Sequence, residues 1–196
     1  MHERIQLPLR GREVLPEALP SPVMAGPGVL VHLRRDREVA AASWLILAAP
    51  NAEKARHEWE DYGVALLRCG SLLSAVRIPA DLVYAAAGTE ELEQVRAFLA
   101  DVLDGGPIFH DTGGRQFYAL TPASAPSTWH LTVAECLGSN TFLGVPATDR
   151  TEPDCRYPAY WVLPMDGPGT LCAPDDVAGL VLAGHQAATK NAEADR

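Results

Sequence analysis

Positive charge is scarce in this sequence. Lys and Arg together number 16 against 25 Asp and Glu, a formal net charge of −9. That balance argues against a generic polyanion binder, so any nucleic-acid surface has to be a local basic patch on an acidic body. Long apolar runs are also missing. The longest, AAASWLILAAP, is too short to span a bilayer. The first twenty residues, MHERIQLPLRGREVLPEALP, contain no apolar signal-peptide core. The expectation is a cytoplasmic protein with no membrane association. The four cysteines, Cys69, Cys136, Cys155 and Cys172, include no CxxC pair, which reads as reduced thiols and leaves zinc without closely spaced ligands.

The usual catalytic signatures are absent too. DGPGTLC lacks the Gly-Lys-Ser/Thr end of a phosphate-binding loop, and there is no GxGxxG, GxSxG or HExxH. Cys136 paired with His110 or His130 has no local support as a nucleophile. His57 falls on the polar face of a helix and reads as an inert surface group.

What the chain does have is turn formers and a moderate apolar content. Gly and Pro number 16 each, and 47% of the residues are hydrophobic. A chain of 196 residues suits one domain with tails and buries roughly 70% of its unfolded surface. Five prolines within residues 1–28 predict an extended arm with at most a short edge strand, able to clasp a protein partner or a second copy. Residues 29–188 read as a single α+β domain, and 189–196 as a frayed tail.

VLVHL (29–33) reads as a strand and RRDRE (34–38) as a charged turn. Its Arg34, Arg35 and Arg37 are either solvated or phosphate-binding. ASWLILAAP (42–50) reads as a buried strand ended by proline. Asn51 then caps a helix whose Ala55, Trp59 and Tyr62 share a face and which Gly63 stops. VALLRCG and LLSAVRIP (72–79) are strands, and ADLVYAAAG a short helix. TEELEQVRAFLADVLDGG is a helix capped by Thr89 with a stripe of Leu92, Val95, Leu99 and Val102.

PIFH and RQFYAL form a hairpin across DTGG, where glycine tolerates positive φ. Strands TFLGVP and YWVLP follow, separated by the irregular loop ATDRTEPDCRYP, which is long enough to suspect function. Pro174, Asp175 and Asp176 open a last helix that buries Val177, Leu180, Val181 and Gly184. The pattern predicts a mixed or antiparallel sheet with helices mainly on one side.

The best candidate site is GGRQF. Gly113 and Gly114 would offer backbone N–H groups and Arg115 a donor fork for phosphate. Arg77, Gln116, Tyr118 and Trp129 add polar or stacking groups. An exposed hairpin with core aromatics explains the same residues. Asp81 and Asp111 are the only acids near strand ends. They are weak candidates for catalysis, with Asp149 or Asp154 as a further candidate ligand.

TGGRQFYALTP resembles the T-x-GG-R-H-x-Y-F stretch of the N-terminal domain of bifunctional DNA primase/polymerases. TFLGVPATDRTEPDCRYPAYWVLP is similar to that family's return strand, a Val-Pro-Pro segment leading to a Tyr-Trp strand. LLRCG, VRIPADL, ECLG and LCAP resemble segments of shorter actinobacterial relatives, so the likeness spans roughly residues 42–182. It implies a primase-like, RRM-derived α+β core. The family's Asp-x-Asp/Glu metal pair has no counterpart in SAVRIPADL, and its motif His is Gln116, an amide that neither gives nor takes a proton near neutral pH.

Three functions are therefore expected in order: a non-catalytic primase-polymerase-like module that binds a nucleotide or the phosphate of a nucleic acid, single strands included, near Gly113–Gln116 and Arg77, or serves as a regulatory scaffold; a protein-interaction domain with no nucleic-acid role; and a metal-dependent nucleotidyl-transfer enzyme with unusual carboxylate ligands. Only the last calls for a cofactor, magnesium.

Overall fold

A computed structural model of the chain describes residues 23–26, 29–31 and 34–194. The proline-rich arm before Val23 and the last two residues lie outside the described part. β1 (Val23–Gly26) and β2 (Val29–Val31) pair antiparallel as a separate small ribbon.

The centre of the domain is a five-stranded antiparallel sheet in the order β7-β4-β6-β5-β9. Its strands are β4 (Leu73–Pro79), β5 (Ile108–Asp111), β6 (Gln116–Pro122), β7 (Glu135–Leu137) and β9 (Ala159–Leu163). β3 (Val64–Arg68) and β8 (Phe142–Pro146) form a second antiparallel ribbon, with Val64 opposite Pro146 and Arg68 opposite Phe142. β4 and β6 carry apolar residues on both faces, because each face is covered.

Leu73, Ala75, Phe109, Leu120 and Trp161 point to the first face. They pack there with Ala41 and Leu45 of α1 (Arg34–Ile46), Ala55 and Trp59 of α2 (Ala52–Tyr62), and the inner side of the β3–β8 ribbon. Val76, Ile78, Ile108, Phe117, Ala119 and Val162 point to the second face. There they meet α3 (Ala80–Ala87), α4 (Leu92–Val102) and α5 (Pro174–Ala194). The fold is α+β, but helices lie on both faces, three on one and two beside a ribbon on the other.

Two tryptophan N–H groups fasten the ribbon to its surroundings. Trp59 donates to the Val145 carbonyl at 2.9 Å, and Trp161 to that of Pro146 at 3.1 Å. The outer edge of β9 is held by the Trp161 N–H on the Arg150 carbonyl at 2.7 Å, and by Arg96 of α4. Arg96 donates to the carbonyls of Val162 and Thr151 at 3.1 and 2.9 Å.

The helices at 52–62, 80–87 and 92–102 and the strands after residue 63 form as their patterns predict. The Asn51 side chain accepts the Lys54 N–H at 2.9 Å. Gly63, at φ 72°, closes α2 in the left-handed conformation that glycine adopts without strain.

Four local expectations change. Residues 34–38 are the first turn of α1, not a charged turn, and Arg34 pairs with Glu38 one turn on at 2.9 Å. The run from residue 42 continues that helix to Ile46 instead of forming a strand. Its buried members Ala41 and Leu45 lie one helical turn apart, and the chain leaves the helix after the buried Ile46. A short apolar run does not separate the two conformations by itself. The segment after residue 188 does not fray within the described residues: α5 reaches Ala194. Thr89 does not cap α4 directly, since the helix begins after Glu91. Its hydroxyl instead accepts the Glu91 N–H at 3.1 Å.

Candidate functional site

Alternation along the sheet sorts the candidate residues into two groups. Register pairs Trp161 with Phe109, Phe109 with Tyr118, Tyr118 with Arg77, and Arg77 with Glu135. These five side chains form one row across all five strands on the first face. Trp161 and Phe109 are fully buried, Tyr118 is half-buried, and the Arg77–Glu135 ion pair is open to solvent. Asp111 and Gln116 belong to the same face. The cover of ribbon and helices thus thins out at Tyr118.

Beside Tyr118 lies a cleft of about 150 Å³, walled by Val64, Leu143 and Gly144 of the ribbon and by Asp111, Pro158 and Ala159. The Tyr118 ring stacks on Phe109 with centroids 5.0 Å apart and planes 18° from parallel, which fixes its orientation. Its phenol pKa is raised, first by burial and then by the Asp111 charge, with Arg77 opposing. The hydroxyl therefore stays protonated at neutral pH, amid two carboxylates and one guanidinium.

The hairpin turn is built differently from a phosphate cradle. The N–H of Gly114 is donated to Asp111 Oδ1 at 3.0 Å, so the chain's own carboxylate occupies it. Neither Gly113 nor Gly114 takes a positive φ; that conformation falls on Arg115, at 49°. A Cβ at Gly114 would lie 2.6 Å from Asp111 Oδ2, so a larger residue there displaces that carboxylate. Arg115 points toward the second face and binds Asp81 Oδ1 at 2.6 Å, which raises its pKa. Its carbonyl accepts the Ala80 N–H at 3.0 Å, locking the turn to the start of α3.

The structure therefore brings Arg77, Asp111, Gln116 and Tyr118 together and leaves Arg115 and Asp81 on the other side of the sheet. Trp129 is elsewhere. Its N–H bonds the Leu131 and Ala134 carbonyls at 3.1 and 2.9 Å, and it packs on the second-face core. Asp154 is gripped by Arg156 at 2.6 Å and held down to a pKa of about 2, while Asp149 lies 3.9 Å from Arg150. Among the described residues no three His, Cys, Asp or Glu side chains converge as a metal site.

The Cys136 thiol is pushed up to about 11 by burial, far from a thiolate at neutral pH. His110 is buried and stacked on Phe117 at 4.3 Å, and neither ring nitrogen has a partner among the described residues. Its pKa is lowered, mainly by burial. No hydrogen bond joins it to Cys136.

Val64, Leu143, Gly144 and Glu135 complete the site, and sequence reasoning did not find them. β3 and β8 are remote in the chain, and nothing local in either marks its partner. No family model, curated protein or solved structure matches the chain. Among the described residues no helix is long and apolar enough to cross a membrane.

Proposed function

We propose that this chain is a non-catalytic, primase-polymerase-like module that binds a nucleotide or the end of a single nucleic-acid strand on the open part of its sheet. The observation that supports this reading is the convergence of Arg77, Gln116 and Tyr118 on one face beside the cleft. A ring-stacking surface and hydrogen-bonding side chains at the sheet rim suit an unpaired base. Catalysis has no support here. Asp81 is engaged by Arg115, Asp111 holds the Gly114 N–H, and the two acids belong to different faces. The test is thermal shift of the full chain with nucleotides, nucleosides and short single strands, with and without magnesium. A rise that Tyr118→Ala abolishes, and that does not need magnesium, supports the reading. No rise with any of them removes it.

A protein-binding reading has one observation in its favour. Leu66 and Phe142 are half exposed on the outer side of the ribbon, at a groove of about 210 Å³ that also involves Pro50, Lys54 and Glu58. Light scattering of the chain beside a Phe142→Ser variant tests it for self-association. Identical, monomeric masses count against a second copy as the partner.

A further inference from the structure

We propose that the cleft beside Tyr118 is a base-selective subsite that takes an amino-bearing nucleobase, cytosine being the matching case, through its ring and amino group and not through phosphate. This rests on the ligand reading above and names the part of the ligand that is held.

Three features carry it. The first is size and wall chemistry. A cleft of about 150 Å³ is well below the roughly 300–1,000 Å³ of sites that enclose whole drug-sized ligands. It accepts one ring. Its walls of Val64, Leu143, Pro158 and Ala159 are apolar, and Tyr118 stands beside them, locked on Phe109. Gly144 adds backbone to the wall.

The second is charge. Asp111 and Glu135 flank a single cation, Arg77, and Glu135 already neutralises it. The rim is therefore net negative and repels a phosphate, which carries more than one negative charge at neutral pH.

The third is an uncommitted acceptor. Asp111 uses Oδ1 to hold the Gly114 N–H, and among the described residues Oδ2 makes no hydrogen bond. A carboxylate at a cleft lip accepts from the amino group of cytosine and has nothing to offer the carbonyl that uracil carries in its place.

The experiment is an NMR titration of the isotope-labelled full chain with cytidine, uridine and cytidine monophosphate. Cytidine is expected to bind about tenfold more tightly than uridine, the usual scale for a hydrogen bond to a charged group, and more tightly than its monophosphate. Asp111→Asn keeps an oxygen for the Gly114 N–H and presents an amide N–H₂ instead of the second oxygen, so the preference reverses toward uridine. Tyr118→Ala removes the ring beside the slot and nucleoside binding with it, while the spectrum stays folded.

Equal affinity for cytidine and uridine, or tighter binding of the monophosphate, overturns the subsite. Monophosphate binding with no preference between cytidine and uridine leaves the broader function standing and sinks this inference alone. No shift with any of the three ligands removes both.

Discussion

Replacing Gly184 with alanine tests the packing of the second face most directly. Gly184 is buried in α5 where that helix crosses α3. A Cβ there would lie 2.8 Å from the Leu82 carbonyl carbon, 3.2 Å from its Cα and closer still to its oxygen. Carbon atoms rest at about 3.5–4.0 Å, so the two helices have to part by roughly 0.7 Å or more, and the obstacle is backbone with no rotamer to yield. Overpacking of this kind costs about 1–3 kcal/mol. Alanine recovers about 1 kcal/mol of helix propensity, so a net loss of up to about 2 kcal/mol is expected.

Gly179 supplies the control. It is exposed in the same helix, and an added Cβ meets nothing within 4 Å. Gly179→Ala should gain about 1 kcal/mol. In thermal unfolding each kcal/mol moves the midpoint by about 2–4 °C for a chain of this length. The two variants should therefore shift Tm in opposite directions, Gly179→Ala upward and Gly184→Ala downward. If both rise by the same amount, the close crossing of α3 and α5 is wrong.

Two other perturbations probe the core and the sheet edge. His110 is kept neutral by burial, with its pKa lowered, so below the ordinary range near 6.5 the unfolded chain takes up a proton that the native state refuses. Its contribution is complete above that range and is lost as pH falls toward the lowered native value, with a slope of up to about 1.4 kcal/mol per pH unit. His110→Phe, which keeps the stack on Phe117, should flatten the fall in Tm between pH 7.5 and 5 relative to the parent; an unchanged slope would refute the assignment. Arg96→Ala strips two carbonyls at the β9 edge of a charged donor and should cost about 2–3 kcal/mol in urea unfolding. Glu152→Gln removes only its solvent-exposed ion pair, 3.5 Å long, and should cost under about 0.5 kcal/mol. Equal losses would mean that the ion pair, and not the carbonyl contacts, is what matters.

Where a residue's neighbours in sequence are also its neighbours in space, the chain declared its structure. The Asn51 cap and Gly63 stop of α2 are local patterns satisfied by local bonds, and the stripe of α4 and the Val177–Leu180–Val181–Gly184 face of α5 are legible as spacings within one segment. The hairpin between β5 and β6 belongs with them. α1 was illegible because a short apolar run fits either conformation, and only contact with α2 and the ribbon selects the helix.

The candidate site lay on the same boundary. Arg77, Gln116, Tyr118 and Asp111 could be named from their types, but their division from Arg115, Asp81 and Trp129 depends on strand parity and register. The cleft itself exists because β8 returns to pair with β3 and lays Gly144 opposite Tyr118 and Asp111. Pairing between remote strands is chosen by the burial of both sheet faces together. No single segment encodes that choice, because the free energy deciding it is shared among residues that meet only in the folded chain.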